Sequence, residues 1–394
     1  MKTERSNHIF FRCCYGYAVS GMAVLVIGAI LPSIMKEAGI SFLAAGSLLS
    51  GMAIGNLSAS FLFPMIVSRT GRKPAIFFIT LLAPVCLLIL SILPPFPVMY
   101  GTMLVYGLVR GSVTILNNGA VNDIFGDKAT GKLNLLHCSF AIGAFLAPFL
   151  TAVLMRLGFD WKAILYVILF LTATTAISYG TMDDTLLKTT SKKDKSVPEE
   201  KDHSRSFLKS FPFYCIALIL FFYLGIENCI NGWFVTYLQN TGVMSLSYAT
   251  TLVSFTWLVI MAGRLVCAAL SKRLEKSLMI LILSFGSALC FFLLITCKSL
   301  PFITFALLGM GFFLSGIYPT CIANAGPLIK GSTAGMSLLT AISALGGIIA
   351  PQMVGGAADH MGIVAAIGIL SVNMIFVMIF SIINFRNNRK KRIG

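Results

Sequence analysis

Gly143-Ala-Phe-Leu-Ala147-Pro148 and Gly346-Gly-Ile-Ile-Ala350-Pro351 are one phrase written twice, 203 positions apart, each inside a long apolar run. Two further pairs share nearly the same offset. Ser68-Arg69-Thr70-Gly71-Arg72-Lys73 faces Lys272-Arg273-Leu274-Glu275-Lys276-Ser277, and Lys128-Ala-Thr-Gly131 faces Ser332-Thr-Ala-Gly335. Three matches at one spacing mark a chain built from two related halves. Parallel helical repeats with a solute site between them, near the middle of the bilayer, are the plan of an alternating-access carrier.

The runs that carry these phrases are too apolar for water. Of 394 residues, 57% are hydrophobic and 11% charged, with mean hydropathy +0.89, whereas a soluble domain carries roughly 25% charged residues. A spanning helix needs about 20 mostly apolar residues. Uncharged stretches of that length predict helices near 15–35, 43–67, 75–94, 98–122, 133–156 and 161–181, then 210–239, 246–270, 277–297, 300–323, 332–358 and 362–385. The runs are continuous and not alternating, which excludes a β-barrel. The expected architecture is an all-α membrane protein of twelve transmembrane helices in two six-helix bundles, residues 1–181 and 210–394. The charged, Pro-containing stretch 182–209 reads as a cytoplasmic linker.

The formal net charge of +16 reports topology. Most of the Lys and Arg residues lie in the N-terminal segment, the linker, the C-terminal tail and alternate loops, which is the positive-inside pattern. Both termini are therefore expected in the cytoplasm of a cell whose plasma or inner membrane holds the protein. A nucleic-acid partner is not expected. No GxxxxGK[ST] loop is present, so ATP-driven transport is not expected either. Four His residues yield no metal or Ser/His/Asp constellation, and an enzyme is not expected. The ten cysteines read as small apolar fillers, with Cys13 and Cys14 at the membrane edge as sites for acylation in a suitable host. The expected protein is a monomer with no cofactor beyond a coupling proton or sodium ion.

The Arg69-x-Gly71-Arg72-Lys73 loop resembles the signature between the second and third helices of the major facilitator superfamily. That signature begins with Gly and has Asp before the Arg, where this chain has Pro64 and Ser68. The resemblance therefore implies a gating motif at Arg69, Gly71 and Arg72 without the usual ion pair through that Asp. A narrower resemblance, to the fucose–proton symporters and related sodium–glucose carriers, rests on four segments. These are Leu133-Asn134-Leu135-Leu136-His137-Cys-Ser-Phe140-Ala-Ile-Gly143, Phe222-Tyr223-Leu224-Gly225-Ile226-Glu227-Asn228 with Asn231-Gly232-Trp233, Gly263-Arg264, and Gly316-Ile-Tyr318-Pro319-Thr320. It implies sugar transport, with His137 where those symporters place a cavity Gln and Asn117 or Asn118 where they place a helix-four Asn. The acids those symporters carry in helices one and four are absent here.

Ionisable groups inside a bilayer are costly and mark function. Of fourteen acidic residues, Glu227 is the one well inside an expected span; Arg110 lies at a similar depth in the other half. Glu227 is the candidate coupling site for a proton or Na⁺, with Arg110 tuning it. Asn228, Asn231 and Trp233 beside Glu227, Asn117 and Asn118 in helix four, and Asn134 and His137 in helix five suit a hydroxyl-rich solute, because amides both donate and accept and Trp stacks on a sugar ring. The same Asn and His residues also serve as glue between helices. Gly143 to Pro148 and Gly346 to Pro351 read as hinge-like weak points. The function expected is secondary active transport of a small polar solute, a sugar by the Asn cluster; the alternative is an efflux carrier for drugs or amphipathic metabolites.

Overall fold

A computed structural model describes residues 2–125, 129–182, 206–271, 273–329 and 333–393. Among them stand twelve helices long and apolar enough to cross a membrane. Numbered as spans in chain order, the first six are Lys2–Ala38, Phe42–Thr70, Arg72–Ser91, Phe96–Phe125, Ala129–Arg156 and Lys162–Gly180. Spans 7 to 9 are Phe211–Asn240, Leu246–Leu270 and Lys276–Thr296. Span 10 comes in two pieces, Leu300–Leu314 and Ile317–Ala325; span 11 is Thr333–Met361, and span 12 begins at Ile363 and closes with Leu370–Ile393. Large apolar side chains that no neighbour covers, among them Phe61, Phe78, Phe170, Leu289 and Phe305, make the outer surface one that hydrocarbon solvates.

Span 1 starts thirteen residues earlier than its apolar run. The extension is held by packing, since Ile9, Phe10 and Cys13 are buried. It is also held by Arg12, whose Nη1 donates to the Ser178 carbonyl at 2.5 Å and to Thr181 Oγ1 at 2.8 Å. A cation at that place satisfies carbonyls that the end of span 6 leaves open. Cys13 is fully covered, so the acylation reading fails for it. At the other end of the same two helices, Glu37 accepts from Trp161 Nε1 at 2.7 Å and from Lys162 Nζ at 2.6 Å.

The chain divides into two units, 1–40 with 47–198, and 41–46 with 199–394. The boundary near 198 falls inside the expected linker. Of that linker, residues 183–205 lie outside the described residues, and Ser206–Lys209 forms one 3₁₀ turn. The assignment of 41–46 to the second unit is a departure from the simple division into halves. There Asp359, at the end of span 11, accepts from the backbone N–H of Phe42 at 2.7 Å and of Leu43 at 3.0 Å, capping the first turn of span 2.

Within each unit the helices pair in the same way. Span 1 packs on span 5 as span 7 packs on span 11, span 3 on 6 as 9 on 12, and span 3 on 4 as 9 on 10. The repeated phrase sits at the tightest of these crossings. A Cβ on Gly143 would overlap the Ala18 carbonyl of span 1, and one on Gly346 would overlap the Phe221 carbonyl of span 7. Gly21 approaches the Phe140 carbonyl from the other side. Small residues are used this way in membranes, where close backbone packing substitutes for a hydrophobic driving force. Spans 5 and 11 run unbroken through Pro148 and Pro351, while span 10 breaks at Ser315–Gly316.

Filling such a crossing costs more than ordinary overpacking, about 1–3 kcal/mol, because a backbone carbonyl cannot step aside. Gly346→Leu is therefore expected to destroy the monodisperse folded peak in detergent size-exclusion chromatography. Gly101→Ala, on a helix with nothing within 4 Å of the added carbon, is expected to leave that peak intact and raise the thermal midpoint slightly. Equal behaviour of the two variants would refute the crossing argument.

Candidate functional site

In the second unit the polar cluster is built by spans 7, 8 and 10. Tyr223 and Glu227 stand one turn apart on span 7, and the Tyr223 hydroxyl is hydrogen-bonded to the Glu227 carboxylate. The Tyr318 ring lies 6.2 Å from that of Tyr223, brought there by the second piece of span 10. Arg264 of span 8 is close enough for its charge to act on the Tyr223 hydroxyl. Two glycines allow this. A Cβ on Gly263 would strike Ser315 Oγ and come within 2.8 Å of the Phe312 carbonyl, and one on Gly316 would strike Cys267 Sγ. Span 8 thus rides on the break in span 10, and Arg264, next to Gly263, and Tyr318, two positions past Gly316, both act on the same tyrosine. From the sequence, Tyr318 is a weaker candidate beside Gln352 and Trp257, whereas Arg264 enters through the resemblance and not as a candidate site residue. The signal available was Arg264's position: on span 8 it shares the buried face of Trp257, Ile260 and Cys267, not the lipid-facing one.

Two of the other second-unit candidates, Asn228 and Trp233, are engaged with the protein itself. Asn228 Nδ2 donates to the Leu224 carbonyl of its own helix at 2.9 Å and fills the space left by Gly347. Trp233 is fully buried, and its Nε1 donates to the Pro351 carbonyl at 2.9 Å. The Phe42 ring covers it at 6.0 Å. In this conformation Trp233 is a packing anchor and offers no face for stacking. Asn231 is half-buried.

In the first unit, Arg110 lines a small, partly open and mostly apolar cavity of about 40 Å³ with Val19, Ser20, Tyr106, Val113 and Thr175. Asn117 is fully buried and accepts from the Tyr179 hydroxyl at 2.9 Å, and that hydroxyl occupies the place a side chain on Gly16 would take. Asn117 therefore joins span 4 to span 6 inside the bundle, while its Nδ2 is buried with no hydrogen-bond partner among the described residues. Asn118 is half-buried, with an Oδ1 that has no hydrogen-bond partner among the described residues. His137 is exposed and meets the Tyr17 ring edge-on at 5.4 Å. The side chain of Asn134 lies outside the described residues.

The loop between spans 2 and 3 contains an ion pair after all. Arg72 pairs with Asp123 near the C-terminal end of span 4, a carboxylate 51 positions away and not in the loop itself. Gly71 adopts φ 86° and ψ 162°, a conformation that only glycine takes readily, and Arg69 is exposed. The second unit repeats the tie without the acid: Lys276 Nζ donates to the Ala323 carbonyl at the end of span 10 at 3.0 Å.

A sequence profile described as Major Facilitator Superfamily matches residues 13–351. The chain belongs to the major facilitator superfamily. It is a multi-pass membrane transporter and not an enzyme. Curated relatives in this superfamily include the Protein TsgA homolog of Buchnera aphidicola, 22% identical over 382 residues and covering 96% of both chains. Protein TsgA of Escherichia coli is 22% identical over 372 residues, covering 92% of this chain and 91% of its own. Solved structures with the same fold include a D-xylose–proton symporter at TM-score 0.75 and 14% identity, covering 96% of each chain. The nucleoside transporter NupG, as a D323A mutant, reaches TM-score 0.77 at 12% identity, covering 97% of this chain and 99% of its own. A bacterial homolog of the lysosomal transporter Spinster reaches TM-score 0.77 at 11% identity, covering 96% of this chain and 97% of its own.

Arg72 and Asp123 form one unit only if their deletions are not additive. In a double-mutant cycle with Arg72→Ala and Asp123→Ala, the thermal midpoint is expected to fall with either change and little further with both. Losses that simply add would show that the pair contributes nothing as a pair.

Proposed function

We propose that this superfamily member is a secondary active carrier for a small polar solute of the sugar type, driven by a cation whose binding is coupled to Glu227. The observation that carries the reading is a carboxylate in the middle of span 7, tied to Tyr223 within a cluster of polar side chains. A carboxylate at that depth costs several kcal/mol if it is only structural. One that exchanges a proton or Na⁺ for its tyrosine bond links occupancy to the packing of spans 7, 8 and 10. The structural likeness to a D-xylose–proton symporter and to a nucleoside transporter supports a hydroxyl-rich solute. The basic loops support an inner or plasma membrane with both termini in the cytoplasm.

The test is uptake of a labelled monosaccharide panel into proteoliposomes under imposed pH and Na⁺ gradients. Wild-type protein is expected to accumulate its solute against a gradient under one of the two cations. Glu227→Gln is expected to lose accumulation, at least tenfold, while keeping solute exchange down the gradient. Accumulation by Glu227→Gln with unchanged pH and Na⁺ dependence would end the coupling proposal.

A further inference from the structure

Three charged side chains stand at interior levels of the described spans: Arg110 in span 4, Glu227 in span 7 and Arg264 in span 8. The other charged residues sit within a few residues of a helix end, in the polar last turns of span 12 from Arg386 onward, or, like Arg12, at the level where a neighbouring span ends. The inventory is therefore two guanidiniums to one carboxylate. Guanidinium does not give up its proton in proteins, so this excess cannot be relieved by titration of the arginines. Protonation of Glu227, the one interior acid, would make the excess larger. Charge in hydrocarbon is tolerated where it is balanced or hydrated.

Arg264 is the cation whose surroundings show a vacant bond. Its Nε is buried and has no hydrogen-bond partner among the described residues. The Glu227 carboxylate, on the neighbouring span, already holds the Tyr223 hydroxyl. A side chain on a helix leans toward the helix N-terminus, which carries Arg264 away from the nearer end of span 8, and its charge reaches the Tyr223 hydroxyl. The residue type also matters. Lys would place a point charge there, whereas the planar fork of Arg matches the two oxygens of a carboxylate or phosphate.

We propose that the solute carries an oxyanion, as a hydroxylated carboxylate or phosphate ester does, and that Arg264 binds that group. This rests on the proposed carrier function and narrows the solute to acidic sugars or sugar phosphates. The solute then supplies the partner that the Arg264 Nε lacks among the described residues. Organic cations are disfavoured beside that guanidinium, which sets this carrier apart from an exporter of cationic amphiphiles.

The experiment is thermal stabilisation of the full-length protein in detergent, because a ligand that binds only the folded state raises the midpoint by mass action. The probes are D-glucuronate, D-glucose 6-phosphate, D-glucose and tetraphenylphosphonium. One of the two anions is expected to stabilise the protein at concentrations at least tenfold below D-glucose, and which one does so separates carboxylate from phosphate. Arg264→Gln is expected to weaken that anion tenfold or more without changing the weak response to D-glucose. Arg264→Lys, which keeps the charge, should recover part of the loss. The proposal is overturned if neither anion stabilises wild-type protein, if D-glucose or the phosphonium is the best ligand, or if Arg264→Gln binds the anion normally. Glu227→Gln keeps the two readings apart. Anion binding lost in Arg264→Gln, with gradient-driven uptake unchanged in Glu227→Gln, upholds the oxyanion site and rejects the coupling role. Coupling through Glu227 for a neutral sugar does the reverse.

Discussion

Backbone hydrogen bonding without water is the constraint on which everything else here depends. Inside hydrocarbon each N–H and C=O must be satisfied by the protein itself, so the chain spends nearly its whole length as helices. Helices in lipid gain little from sequestering apolar surface, because the solvent is as apolar as they are. What holds them is proximity. The glycines at 143 and 346 bring one helix onto the backbone of another. The hydroxyl and amide bonds between spans, such as Tyr179 to Asn117 and Trp233 to Pro351, then fix the register.

The same economy explains how the polar cluster of the second unit is assembled. Gly263 and Gly316 are needed for spans 8 and 10 to approach where span 10 is broken. Arg264, one position after Gly263, and Tyr318, two after Gly316, are the residues that act on Tyr223. A packing requirement and a chemical one are thus met within a turn of helix, so the chemistry inherits its precision from the close crossing. In the first unit a comparable economy puts the Tyr179 hydroxyl in the place of a missing Gly16 side chain.

Spans were legible in the sequence because a continuous apolar run has one outcome in a bilayer. Their ends were less so: span 1 outlasts its apolar run because Arg12 and buried side chains hold the extra turns, and neither shows in local hydropathy. The twofold repeat was legible too, but its Gly-to-Pro phrase read as a hinge, since Pro interrupts helices in water while a neighbouring helix supports it in lipid. Contacts between distant positions were the least legible. Asp123 carries no mark that it faces Arg72, and Trp233 reads as a sugar platform until its Nε1 is seen against Pro351. Glu227 stood out because a lone acid in a span has no inexpensive explanation, while Arg264 drew attention only as part of a resemblance.

The covalent chain and the folded units do not part at the same place. Residues 41–46 are folded into the second unit although they precede the linker by well over a hundred positions. A fragment cut at the linker would therefore leave Asp359 facing solvent without the two amides it caps, and would strip Phe42 from above Trp233. Anyone expressing the halves separately would find the second one missing a piece of its own wall. The economical repair is a short peptide carrying the first turn of span 2, supplied alongside or fused to the fragment.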